Sequence, residues 1–212
     1  MKVLADPQQL LLFVAASVAL VGLPGPNILY ICTRSVTQGT AAGMVSALGV
    51  ETGTLVHALA TAFGVAALVS AEPGALKAVT LLGAAYLLYL GFRSLTDSRS
   101  PGDAAEAARN RLPRVYREGV LVNVLNPKVM LFFLAFLPQW VSEDAGGAQA
   151  RTELMVLGTI TFTIALIMDL GYAAVAGVLA KRLRGRASSG RGRGRYLVAA
   201  VYIGLAVAAV FS

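Results

Sequence analysis

Three ionisable side chains stand where the sequence leaves them almost no water: Glu51 in GVETGTLVHALA, Lys128 in NVLNPKVMLFF and Asp169 in ALIMDLGYAAV. A charged group inside hydrocarbon costs about 2.5–3.5 kcal/mol on insertion scales, so such residues normally face a polar interior and have a partner or a task. A carboxylate at depth can load and release a proton or hold an ammonium group, and an ammonium can hold a carboxylate. The simplest use of Lys128 is structural, as the partner of Asp169 or Glu51, and Glu51 is the cheaper acid to bury because it lies nearer the end of its apolar run. His57, six residues beyond Glu51, falls on a different helical face and reads as a hydrogen-bonded packing histidine. Cys32 is the sole cysteine, which excludes an internal disulfide and a multi-cysteine metal or redox site, and it reads as a small apolar filler. With no nucleophile triad, metal cluster or phosphate loop in the sequence, no enzyme and no cofactor is expected, and any energy must come from a gradient or a partner.

The second set of informative residues breaks helices. The run from Pro7 to Thr33 carries no charge, yet Pro24, Gly25, Pro26 and Asn27 sit inside it. Asn123, Asn126, Pro127 and Lys128 occupy the corresponding place in a later apolar run. Proline has no N–H, clashes with the carbonyl one turn back and drives the preceding residue out of the helical region, so each run is expected to split into two half-helices. Packing kinks alone would explain one such proline. Two at matching places, each beside polar groups, point to half-helix ends that present free N–H and C=O groups to a solute near the bilayer midplane.

These residues must be positioned by membrane-spanning helices. Of the 212 residues 57% are hydrophobic and 14% charged, against about a quarter charged in a soluble domain, and mean hydropathy is +0.70. Runs long enough to span cover residues 8 to 36, 41 to 70, 75 to 94, 117 to 141, 154 to 180 and 196 to 212. The expectation is an all-α membrane protein of six transmembrane helices in a single domain, residues 1 to 212. Repeat one covers about 8–95 and repeat two about 117–212, joined by an Arg-rich loop at about 96–116. Three spans per half force inverted topology, a 3+3 inverted repeat with broken first and fourth helices. Arg93, Arg99, Arg109, Arg111, Arg114 and Arg117 flank or fill one connection, and Lys181, Arg182, Arg184, Arg186, Arg191, Arg193 and Arg195 the other. The opposite side has only Lys2, Lys77 and Arg151, so the basic loops are placed in the cytoplasm and both termini outside. The net charge of +7 is therefore read as topology and anionic-lipid contact; no aromatic residues interleave the arginines, and no nucleic-acid partner is expected. Gly39, Gly43, Gly49 and Gly53 form small-xxx-small spacings that let another helix approach closely.

PGPN at 24–27, GTAAG at 39–43, GVETGTLVHALATAFG at 49–64, LLGAAYLLYLGFRSL at 81–95 and NVLNPKVMLFFLAFLPQW at 123–140 together resemble the LysE/RhtB family of amino acid exporters. The resemblance runs in order from residue 8 to about 179. It implies efflux of amino acids or related small metabolites across the bacterial inner membrane, driven by an ion gradient. It also implies binding roles for Pro24, Gly25, Pro26 and Asn27, for Asn123, Asn126, Pro127 and Lys128, and for Asp169. The second span departs from the pattern: many members carry an acid directly after the glycine matching Gly53, where this chain has Thr54 and places the acid at Glu51. Three residues is nearly one turn, which brings Glu51 within reach of the same cavity. The resulting expectation is a proton-coupled or cation-coupled exporter. Asp169 and Glu51 hold the solute's ammonium or the coupling ion, while the half-helix ends with Asn27, Asn126 and Lys128 hold its carboxylate. The alternatives are a passive channel or metal-ion exporter and, more distantly, a thiol-relay enzyme, which would need a cysteine in each half. A homo-oligomer is left open.

Overall fold

The computed structural model describes residues 6–64, 75–96, 112–142 and 145–184, with isolated positions beyond 195. The sixth expected span, residues 65–70 of the second and most of both Arg-rich loops lie outside the described residues. Within them the chain is entirely helical. The helices are α1 (Pro7–Gly22), α2 (Pro26–Gln38), α3 (Thr40–Ala62), α4 (Ala75–Thr96), α5 (Leu112–Val124), α6 (Pro127–Leu131) and α7 (Gly147–Arg184). One π turn, Phe132–Phe136, and one 3-10 turn, Leu137–Trp140, prolong α6. Among the described residues Gly147–Arg182 alone is long and apolar enough to cross a bilayer, and Pro7–Gly22 with Pro26–Gln38 and Leu112–Val124 with Pro127–Trp140 pass the same test as bent pairs.

Both breaks fall at the prolines. Asp6 accepts from the N–H of Gln8 at 2.9 Å and Pro7 takes the first helical position, starting α1 in the usual way. At its far end Leu23, which precedes Pro24, has ψ 121°, and Gly25 is extended before Pro26 restarts the helix as α2. Asn126, which precedes Pro127, has ψ 109°. The two pairs bend by 54° and 52° at these points. A proline that only kinked a continuous helix would not have moved its neighbour out of the helical region.

Helix α3 is the centre of the packing, in contact with α2, α5 and α7. Its residues are small for that reason. A Cβ on Gly49 would collide with the Tyr116 carbonyl, and one on Gly53 would stand 2.6 Å from the Asn123 Cβ. Gly49→Ala is therefore expected to force α3 and α5 apart at a cost of about 1–3 kcal/mol, seen as a lower thermal midpoint in detergent. Gly171→Ala, where a Cβ meets nothing within 4 Å, serves as the control and should leave the midpoint unchanged or raised. Equal midpoints for the two variants would contradict the close approach.

Helix α3 ends at Ala62, and Gly64 beyond it takes φ 79°. Two apolar clusters build the core. One gathers Tyr30, Ile31, Ala47, Val50, Leu87, Val122 and Ala173; the other gathers Phe13, Ala58, Val129, Phe132, Phe133, Leu137 and Leu157. Beside the first cluster a buried ion pair joins Arg34 at the end of α2 to Glu118 on α5, and Arg114 reaches the other Glu118 oxygen at 3.1 Å. Tyr30 donates to the Val115 carbonyl at 2.7 Å in the same region.

Candidate functional site

Along α3 and α7 the residues between the two apolar clusters are Glu51, Thr54, Thr161, Ala165 and Asp169, and all of them line one cavity. Their spacings, three residues on α3 and four on α7, put each set on one helical face. Leu20 and Val21 from α1, Asn27 and Ile28 from α2, and Lys128, Val129 and Phe133 from the second broken span complete the wall. The cavity therefore lies against both proline breaks. Its volume is about 40 Å³, room for a few water molecules and none for an amino acid.

Two side chains tie the breaks together. Asn126 donates from Nδ2 to Asn27 Oδ1 at 2.8 Å. Lys128 reaches across to the end of α1 and donates from Nζ to the carbonyls of Leu20 at 3.0 Å and Leu23 at 2.8 Å. The last carbonyls of a helix have no partner within it, so the ammonium satisfies groups that the break exposed. Gly25 belongs to the same contact, since a Cβ there would stand 3.5 Å from Lys128 Nζ.

The two restarted helices are not equivalent. Asn126 caps α6 with its own side chain, Oδ1 accepting from the Lys128 N–H at 3.1 Å. Gly25 offers no side chain to cap α2, and the residues that carry its first N–H groups, Asn27 and Ile28, line the cavity. The first break thus has no side-chain cap, while the second caps itself.

Two acids line the same cavity. Glu51 and Asp169, 2% and 3% exposed, lie within hydrogen-bonding reach of each other, and Lys128 is near enough to Asp169 to act on it electrostatically. Oε2 of Glu51 is buried without a hydrogen-bond donor among the described residues. Thr54 lies one turn from Glu51 and receives Asn123 Nδ2 on its hydroxyl oxygen at 3.0 Å. Both α3 positions therefore share the wall.

Of the residues singled out from sequence, Asn27, Glu51, Lys128 and Asp169 line this cavity. Pro24 and Gly25 form the first break itself. Pro26, Asn126 and Pro127 border a smaller apolar pocket behind the breaks with Tyr86 and Leu87 of α4. Asn123 clasps α5 to α3 through Thr54, and His57 Nε2 lies 3.3 Å from the Asn123 carbonyl while its ring stacks on Phe133. Sequence reading missed Thr54 and Thr161 as lining residues, the apolar wall with Phe133, and the Arg34–Glu118 pair. Only Thr54 carried a signal, as the position of the family's displaced acid.

The model of the LysE type translocator family matches residues 18–212. An uncharacterized membrane protein of Pseudomonas aeruginosa is 36% identical over 203 residues, covering 92% of this chain and 91% of its own length. The leucine efflux protein of Salmonella typhimurium is 27% identical over 195 residues, with 92% and 91% coverage. An uncharacterized membrane protein of Vibrio cholerae is 29% identical over 162 residues, with 76% and 77% coverage. No solved structure matches the chain. With the family model covering nearly the whole sequence, and with broken apolar helices enclosing a polar cavity, the chain belongs to the LysE type translocator family, a family of transporters and not of enzymes.

Proposed function

We propose that this protein exports an amino acid with an apolar side chain across the bacterial inner membrane by alternating access, coupled to the movement of a proton or cation. The observation that carries the reading is the distribution of charge and apolar surface around one cavity. An amino acid is a zwitterion with a side chain, and the wall has a counterpart for each part. Asp169 and Glu51 face an ammonium; the Lys128 ammonium and the uncapped N–H groups of α2 face a carboxylate; Leu20, Val21, Ile28, Val129, Phe133 and Ala165 face a hydrocarbon side chain. The leucine efflux relative in Salmonella supports this choice of solute.

In this proposal the chain has six spans in two inverted halves, with both Arg-rich loops in the cytoplasm and both termini outside. The near-equal bends of 54° and 52° at corresponding places support it. The cavity alternately opens to either side as the half-helices move about their proline breaks. A carboxylate pair in direct contact gives the coupling ion and the solute's ammonium a common place to bind, so that one displaces the other.

Purified protein in liposomes, tested with an imposed pH or sodium gradient and a panel of labelled amino acids, is expected to move leucine-like solutes and to stop when the gradient collapses. Flux of inorganic cations with no amino acid movement would replace the exporter by a channel.

A further inference from the structure

Phe133 occupies an unusual position. It is the second residue of the π turn that interrupts the second broken span, and it lines the cavity with Lys128 and Val129. π turns inside α-helices cluster at functional sites because they re-aim one or two side chains without ending the helix. The residue is only 1% exposed and is fixed from several directions. Its ring stacks on His57 at 6.0 Å and 18° and meets Phe132 edge-on at 5.5 Å. Its carbonyl accepts the Thr61 hydroxyl at 3.2 Å, and a Cβ on Gly158 would stand 3.8 Å from its Cε1. The ring is therefore a rigid partition, with the cavity on one side and the aromatic cluster of Phe132, Phe136 and Trp140 on the other.

We propose that Phe133 determines solute specificity by limiting the size of the side chain that the cavity admits. This inference rests on the exporter reading. A pocket with one flexible wall adapts to what enters it, whereas a ring held on one face by an imidazole and at its edge by another ring cannot step aside without disturbing three helices. The charged groups of the site grip atoms common to all amino acids, so they cannot discriminate among side chains. Discrimination falls to the apolar wall, and Phe133 is its largest member.

The test compares wild type with Phe133→Ala, Phe133→Leu and Phe133→Trp in liposomes, by counterflow of valine, leucine, phenylalanine and tryptophan. The ratio of phenylalanine to leucine transport should rise about tenfold or more in Phe133→Ala and less in Phe133→Leu, the scale on which one buried methylene alters selection in a hydrophobic pocket. Phe133→Trp should shift preference toward valine. Phe133→Leu keeps the core filled if the alanine variant fails to fold. Transport by the leucine and tryptophan variants with the wild-type ratio would overturn the inference while leaving export intact. Failure of wild type to move any of the four would overturn the exporter reading and this inference with it.

Discussion

Asp169→Asn should reduce amino acid transport about a hundredfold or more while the protein folds normally. The substitution keeps the size of the side chain and removes only its charge. Asp169 is 3% exposed, touches Glu51 and feels Lys128, so the lost charge is one that water cannot replace. On the exporter reading the lost charge is the one that meets the solute's ammonium; a hydrogen bond to a charged group is worth about 1.5–3 kcal/mol, and about 3 kcal/mol corresponds to the hundredfold loss. The measurement is the initial rate of solute entry into liposomes at saturating gradient, beside the thermal midpoint of the same preparation. A folded variant with wild-type rates for every accepted solute would remove Asp169 from the site. Glu51→Gln should act in the same direction, and the double variant should be little worse than either alone if the two acids serve one step.

Lys128→Met should damage both stability and transport, which separates it from Asp169→Asn. The replacement keeps most of the side-chain length and loses the ammonium. Leu20 and Leu23 would each lose the donor that now satisfies their carbonyls. An abandoned buried acceptor costs about 1–3 kcal/mol; the Leu20 bond is part-buried and the Leu23 bond exposed, so the fold should lose about that much in all and the bend between α1 and α2 should loosen. Lys128→Arg, still a cation, should recover part of the stability but not full transport, because the planar guanidinium cannot reproduce the two bonds of a compact ammonium. A thermal midpoint unchanged in Lys128→Met would show that the bridge between the breaks contributes nothing to the fold.

Much of this arrangement is legible in the chain before folding. Pro24 and Pro127 announced their breaks because proline's geometry acts on its immediate neighbour, and Leu23 and Asn126 adopt the extended backbone that this requires. Glu51 and Asp169 were legible as acids in apolar surroundings, and the glycines of α3 as a close-approach surface. What could not be read was who meets whom. Lys128 lies 108 residues from Leu20 and 105 from Leu23, and a bond to main-chain carbonyls leaves no trace in residue types. Asn126 precedes its proline, the place of a cap, and Asn27 follows its own, yet nothing local foretold that the two side chains would bond to each other. Arg34 and Glu118 escaped because each sits at the margin of an apolar run, where a charge looks like an ordinary flank. Phe133 and Thr161 look like any core aromatic and any membrane threonine; their place on the cavity wall depends on the π turn and on the register of α7.

Gly39 is the whole connection between α2 and α3, and its φ of 97° is a conformation that other L-residues adopt only with strain. A joint of one residue has no slack to absorb displacement. If α2 swings at its proline break, α3 is dragged with it, and Glu51 travels on α3. The hinge and the acid are thus geared together by a single rigid elbow, and lengthening that elbow by inserted residues would let one turn without the other.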